Sequence, residues 1–147
     1  MDLRPYLDDL EQRIDNAAEE ALLTSWRDFL AGRFTGDIFS PRRSKQAPSA
    51  LAWPKVPVNT ALEDYDQMAL QQFGGCSATL AAGNGSMLNI RCNYGSSILP
   101  SLFDAEIFLM DFEHDTLPTT KPIPGGLDGI KKMLDAVAGS APRRRRA

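Results

Sequence analysis

The sequence predicts an α/β fold in which amphipathic helices precede a small number of strands. Apolar residues recur at three- and four-residue steps across residues 3–31, which is the period of a helix with one apolar face. Apolar and polar residues alternate across residues 88–93, which is the period of a strand. A last helical pattern spans residues 127–137, and Gly139 is placed to end it.

The first helical pattern is long enough to contain a break. A continuous helix over residues 3–31 would measure about 43 Å, and a break at Thr24 and Ser25 could make it two helices. Gly32 follows the pattern and is expected to end it. The aromatic residues near this end, Trp26 and Phe29 among them, are expected to pack onto the rest of the domain.

A connector without a sustained period follows at residues 36–58. It contains four prolines, and a residue before proline is disfavoured in a helix, so an extended path is predicted. Trp53 is expected to anchor it. Arg42, Arg43 and Lys45 could clamp an anionic ligand, but a solvated basic loop is the favoured interpretation.

The next helix is predicted to begin at a capping box formed by Thr60 and Glu63. Gly74 and Gly75 are expected to end it, with a shorter helix after them. The apolar positions Leu62, Tyr65, Ala69 and Phe73 define its predicted buried face.

The alternating strand at residues 88–93 identifies the candidate site. Helices on both faces of a strand favour continuous apolar runs, so the polar face with Arg91 and Asn93 needs solvent or a polar cavity. The loop after a strand, here "NYGSS", is where α/β folds place their ligands. The alternative is structural, with Arg91 in an internal ion pair and Asn93 capping the turn. A second strand is predicted at residues 105–111.

Metal and nucleophile chemistry receive little support from the sequence. Cys76 and Cys92 lie 16 positions apart with no CxxC motif, and they are expected to be buried, reduced thiols. The single histidine, His114, stands in a polar run that indicates a solvated turn. No metal site is predicted in this chain, and the catalytic residues stay unknown.

Charge is unevenly distributed along the 147 residues. The net charge is −3, but four arginines stand together at positions 143–146; without them, 12 basic residues face 19 acidic residues, a charge of −7. Residues 140–147 are expected to form a disordered basic tail. Nucleic-acid binding is not expected, because the arginines have no interleaved aromatic residues. No apolar run is long enough to cross a membrane, and a cytoplasmic location is expected.

Four segments carry a family resemblance. They are "WRDFLAGRFTGD", "WPKVPVNTALEDYDQMALQQFGGCS", "RCNYGSSILPSLFDAEIF" and "DTLPTTKPIPGGLDGIKKMLD". Together they resemble the N-terminal part of bacterial proteins in the uroporphyrinogen decarboxylase superfamily, in a branch related to corrinoid methyltransferases. The resemblance spans about residues 2–136.

The resemblance implies a specific architecture. It places residues 1–139 in the N-terminal portion of a (β/α)8 barrel with leading helices, incomplete in this chain. The parent protein would be a decarboxylase or a corrinoid- or cobalamin-related methyltransferase acting on a tetrapyrrole or a methylated small molecule. Zinc or a corrinoid would belong to the parent, with no cofactor in this chain. The chain alone would be inactive.

The resemblance also implies a role for the candidate residues. Arg91, Asn93 and Tyr94 would line the barrel mouth and bind the small-molecule ligand. Asn93 stands near the position where the decarboxylases have an aspartate, and the chain lacks their Met-Arg-Gln-Ala-Gly-Arg motif. The catalytic role is therefore not transferred to Asn93.

A second function class remains open on the sequence. The chain could be a self-standing small α/β module that binds or interacts without catalysis. An incomplete barrel would instead expose sheet edges and apolar helix faces, so oligomerisation or aggregation through those edges is expected.

Overall fold

The computed structural model describes residues 1–102 and 105–140, with side chains described up to residue 135. The basic tail predicted at residues 140–147 lies outside this part of the chain, apart from Ser140. Helices and a small sheet are both present, as the predicted α/β class requires. The elements in chain order are α1 Arg4–Arg13, α2 Asn16–Leu30, α3 Val58–Glu63, α4 Tyr65–Ala82, α5 Ile98–Ser101, β1 Ile107–Phe108, a 3-10 turn Phe112–His114, β2 Thr119–Thr120 and α6 Gly126–Ser140.

The chain divides into two compact units. The first unit is Met1–Cys92 and contains α1 to α4. The second begins at Asn93 and contains the two strands, α5 and α6. Within the described residues, no helix combines the length and the apolar composition of a membrane span.

The first helical region breaks earlier than predicted. Asp15 adopts an extended conformation and its carboxylate accepts hydrogen bonds from the amides of Ala17 and Ala18, which starts α2. The predicted break at Thr24 and Ser25 is wrong. Their hydroxyls donate to carbonyl oxygens one turn back, at 2.9 and 3.0 Å, and the helix continues through them. A left-handed Gly32 with φ 71° follows the helix end, as predicted.

The predicted capping box at Thr60 is also wrong. The N-cap of α3 is Pro57, without a side-chain cap. Asp64 instead separates α3 from α4 and accepts hydrogen bonds from the amides of Asp66 and Gln67, at 2.8 and 3.2 Å. Asp64 prevails because its carboxylate reaches two free amides at the start of the longer helix.

The two helices predicted on either side of Gly74 and Gly75 are a single helix, α4, of 18 residues. Two glycines weaken a helix interior by about 1 kcal/mol each, and the packing of α4 against α1 and α3 outweighs this cost. The helix ends at Gly83, whose φ of 62° requires a residue without a side chain.

The core of the first unit lies between α1 and α4. Leu10, Cys76 and Leu80 are its buried centre. Phe73 of the predicted apolar face contacts this centre, but Tyr65 of that face is 76% exposed. Other side chains packed against the centre are Ile14, Ala47, Trp53 and Leu88. The predicted face was wrong at Tyr65, which is the first residue of α4.

The connector is irregular, as predicted, and it is held closely against α4 and its C-terminal end. The amide of Arg43 donates to the carbonyl oxygen of Gly83, and that of Ala47 donates to Leu80. A Cβ atom at Gly85 would overlap the carbonyl group of Pro41, so this approach requires glycine.

The predicted strand at residues 88–93 is absent. The segment is irregular, and its side chains do not alternate between core and solvent. Leu88 packs against the core, whereas Ile90 is 59% exposed and Cys92 is exposed. A strand needs a hydrogen-bonded neighbour, and the sheet in the described residues pairs only β1 with β2.

The second unit contains a short hairpin and an amphipathic helix. Ile107 pairs with Thr120 and Phe108 with Thr119 in antiparallel register, so the strand predicted at residues 105–111 is confirmed over two residues. The helix predicted over residues 127–137 is confirmed as α6, but the predicted end at Gly139 is wrong because α6 includes Gly139 and Ser140. Among the described side chains of this unit, Ser97 and Pro118 are the buried ones, and the Ser97 hydroxyl donates to the Pro118 carbonyl at 2.9 Å.

Candidate functional site

The three predicted site residues fall on either side of the unit boundary. Arg91 lies near the end of the first unit and is exposed. Asn93 and Tyr94 begin the second unit and are half-buried. Each is therefore described in its own unit, and their grouping in one ligand site stays a prediction.

The structural alternative for these residues has no support in the described chain. Arg91 forms no ion pair with a described carboxylate, and Asn93 makes no side-chain hydrogen bond with a described residue. An exposed arginine without a carboxylate retains its full charge for a ligand.

A buried arginine centre, which the sequence did not indicate, lies in the first unit. The Arg13 guanidinium donates to the Asp9 carboxylate at 2.6 Å, the Ser77 hydroxyl at 2.7 Å, the Ser77 carbonyl at 2.8 Å and the Ala47 carbonyl at 2.8 Å. The Arg13 and Asp9 side chains are each only 9% exposed. Their spacing of four residues on a helix was a readable signal, but the contacts to Ser77 and Ala47 depend on tertiary packing.

Asp9 extends this centre to the connector. Its second carboxylate oxygen accepts a hydrogen bond from the Ser49 hydroxyl at 2.7 Å, and that hydroxyl accepts one from the Trp53 indole at 3.0 Å. Burial raises the pKa of Asp9, but hydrogen bonds from Ser49 and Arg13 and the guanidinium charge outweigh it and lower the pKa overall. Trp53 also packs 4.9 Å from the Tyr6 ring, so it anchors the connector as predicted.

A second buried arginine, Arg43, corrects the interpretation of the basic connector. Its guanidinium forms a two-pronged ion pair with Glu19, with nitrogen to oxygen distances of 2.6 and 2.7 Å, and also donates to the Asn84 and Ser86 carbonyls. The Arg43 side chain is 4% exposed. Arg43 therefore belongs neither to a solvated basic loop nor to an anion clamp with Arg42 and Lys45, because Glu19 neutralises its charge.

The other two basic residues of the connector remain on the surface. Lys45 lies 3.9 Å from the Asp15 carboxylate, with both side chains well exposed. Arg42 is exposed and pairs with Asn84 through the backbone. Its guanidinium has no carboxylate partner among the described residues.

Two adjoining grooves run beside α2. One, of about 430 Å³, is lined by Ala18, Leu22, Arg42 and their neighbours. The other, of about 390 Å³, is lined by Phe34, Phe39 and their neighbours. Ser25 and Pro41 line both grooves, so the two meet there.

Thiol and imidazole groups do not assemble into a site in the described chain. Cys76 is buried, as predicted, and burial raises the pKa of its thiol. Cys92 is exposed, which contradicts the prediction that both thiols are buried. His114 lies exposed on the 3-10 turn, as predicted. In the part of the chain that the structure describes, no cluster of three potential metal ligands occurs.

Comparison with known proteins adds no relative. No protein-family model, no curated protein and no solved structure matches the chain.

Proposed function

We propose that the chain is the N-terminal portion of a larger cytoplasmic α/β barrel enzyme of the uroporphyrinogen decarboxylase type. The parent would decarboxylate a tetrapyrrole or transfer a methyl group with a corrinoid or zinc. The 147-residue chain would have no activity by itself. The proposal rests on the sequence resemblance and on one structural observation in the second unit.

That observation is a set of exposed apolar side chains among the described residues of this unit. On α6, the side chains of Leu127, Ile130 and Leu134 are 76%, 40% and 62% exposed, and they recur at helical spacing. Around the hairpin, Phe108 and Phe112 are 44% and 62% exposed. Exposed apolar residues in one small unit indicate a surface that further polypeptide covers, as the later strands and helices of a barrel would.

Arg91, Asn93 and Tyr94 remain the proposed ligand-binding residues. The guanidinium of Arg91 is exposed and has no carboxylate partner among the described residues. It suits the carboxylates of a tetrapyrrole, because arginine binds carboxylate oxygens through two parallel hydrogen bonds. Asn93 and Tyr94 would add neutral donors. In a full-length relative, replacing the arginine that corresponds to Arg91 by alanine would weaken ligand binding with little change in the melting temperature.

The proposal is tested by size-exclusion chromatography with light scattering, beside assays with uroporphyrinogen and with a methylcobalamin donor. We expect no turnover and concentration-dependent self-association through the second unit. The double variant Leu127→Asp/Leu134→Asp should reduce this self-association. Turnover by the chain alone would overturn the proposal. It would also be overturned if the chain stayed monomeric at every concentration and bound no apolar dye on α6.

The first unit favours a second candidate, a small binding module without catalysis. It has its own core, and its buried side-chain polar atoms all have hydrogen-bond partners among the described residues. A unit with these properties can fold without further polypeptide. Expression of residues 1–92 tests this candidate, and a cooperative unfolding transition of that fragment would support it.

A further inference from the structure

The grooves beside α2 form a surface that the proposed barrel function does not use. One wall is α2 and the other is the connector around Pro41 and Arg42. The connector wall is held in place because Arg42 pairs with Asn84 and because the guanidinium of Arg43 binds Glu19 of α2. The glycine contact between Gly85 and Pro41 fixes the same wall. A groove with fixed walls loses little entropy on binding a ligand.

The grooves carry apolar side chains suited to a flat ligand. Phe39 stacks on Phe29 with ring centroids 4.1 Å apart, and Trp26 packs edge-on against Phe39 at 4.9 Å. The Trp26 indole donates to the Gly85 carbonyl at 2.8 Å, which fixes the cluster. Ile38 lines the same groove and is 82% exposed. A ligand that covers this exposed isoleucine removes apolar surface from water, which favours binding.

The charge of the grooves is positive although the body of the chain is acidic. Four charged residues that line the grooves, Asp15, Asp28, Arg33 and Arg43, already have partners. Asp28 pairs with Arg33, and the other two pair with residues outside the lining, Arg43 with Glu19 and Asp15 with Lys45. The Asp15 carboxylate also accepts the first amides of α2. Arg42 is left with an unbalanced charge among the described residues, so the surface carries a formal charge of about +1 that complements one anionic group.

We propose that these grooves bind a small amphipathic anion, a molecule with one carboxylate or sulfonate group and a flat apolar body. The anionic group binds the Arg42 guanidinium, and the apolar body lies along Phe39 and Ile38 past Ser25. The combined volume of the two grooves lies within the usual range of small-molecule pockets. The site lies wholly in the first unit and is independent of the proposed barrel function.

Two dyes of similar shape test the proposal on the full chain. The anionic probe is 8-anilinonaphthalene-1-sulfonate, and its neutral counterpart is N-phenyl-1-naphthylamine. Because an ion pair at an exposed site contributes about 0.2–1 kcal/mol, Arg42→Ala should weaken binding of the anionic probe by roughly 2- to 5-fold. Binding of the neutral probe should not change, and Arg42→Lys should retain most of the affinity for the anion.

Amide chemical-shift mapping locates the bound probe, because the apolar surface of the second unit also attracts dyes. We expect chemical-shift changes concentrated at residues 25–28 and 38–44. In Ile38→Asp, both these changes and the affinity for the probe should be lost. Circular dichroism of Arg42→Ala checks that α2 and α4 remain folded. Equal affinity of wild type and Arg42→Ala for the anionic probe would overturn the proposal, as would shifts confined to the second unit. Such a result leaves the proposed barrel function untouched.

Discussion

The two units differ in how completely they bury their own apolar surface. The first unit encloses Leu10, Cys76 and Leu80 between two helices, and arginines bind the carbonyls and carboxylates of its interior. In the second unit, Leu127 and Leu134 of the amphipathic helix α6 face solvent. The presence of regular elements is therefore a poor guide to stability, because burial against a neighbour stabilises an amphipathic helix more than its own propensity does.

The buried polar centres also distinguish the units. The first unit joins an irregular connector to helices through Arg13 and Arg43, each with four hydrogen bonds. In the second unit, the ion pair of Lys121 with Glu106 is well exposed. Exposed ion pairs contribute about 0–1 kcal/mol, so this pair adds little to the stability of the second unit.

The largest expected effect comes from Arg13→Ala. The substitution leaves the Asp9 carboxylate, the Ser77 carbonyl and the Ala47 carbonyl without the guanidinium. Removal of one partner of a buried ion pair costs about 3–5 kcal/mol. Urea unfolding followed by tryptophan fluorescence measures this loss, since both tryptophans belong to the first unit.

Arg33→Ala is the matched control for Arg13→Ala. Arg33 also pairs with an aspartate, Asp28, but their side chains are 62% and 46% exposed. Its replacement should change the free energy of unfolding by about 1 kcal/mol or less. Equal losses for the two variants would show that the Arg13 centre is not buried in solution.

A leucine pair compares the two units directly. Leu80→Ala in α4 removes a side chain that is 2% exposed and should cost about 2–5 kcal/mol. Leu134→Ala in α6 removes one that is 62% exposed and should change the free energy of unfolding by about 0.5 kcal/mol or less. A comparable loss in both variants would mean that α6 has a core of its own.

A glycine pair tests the contact of the connector with the first unit. Gly85→Ala places a methyl group on the Pro41 carbonyl and should destabilise the unit by about 1–3 kcal/mol. Gly75→Ala meets no atom within 4 Å in the interior of α4 and should stabilise it by about 0.5–1 kcal/mol. Thermal unfolding of the two variants should therefore shift in opposite directions.

Acid should weaken the first unit through Asp9, with an effect smaller than those above. The folded pKa of Asp9 lies below its ordinary value of 3.8, so the unfolded chain binds the proton first as pH falls. The stabilisation is complete above about pH 5 and is lost as pH drops through the folded pKa. In Asp9→Asn, urea midpoints should depend less on pH below about pH 5; an unchanged acid dependence would contradict the lowered pKa.

Sequence patterns predicted the features that depend on local chemistry. The left-handed Gly32, the irregular connector, the Trp53 anchor and α6 all follow from single residues or short periods. Errors arose where two local signals competed. Asp15 and Asp64 started helices at places where the period alone gave no break, and α4 continued through two glycines.

The candidate site was less predictable, because its residues depend on distant contacts. The alternation at residues 88–93 wrongly predicted a strand, because no strand among the described residues pairs with this segment. The charge of Arg43 looked available in the sequence, yet Glu19, 24 positions earlier, neutralises it. Arg42 is the adjacent residue with the same side chain, and only the folded structure distinguishes the two.

Hydrogen exchange measured by mass spectrometry on the 147-residue chain compares the units most directly. Exchange of buried helical amides requires unfolding, whereas an uncovered helix opens locally. We predict that amides of α4 within residues 69–82 exchange on the order of 100-fold or more slowly than those of α6. Equal protection of α4 and α6 would contradict the conclusion that the described part of the first unit buries its apolar surface more completely than that of the second.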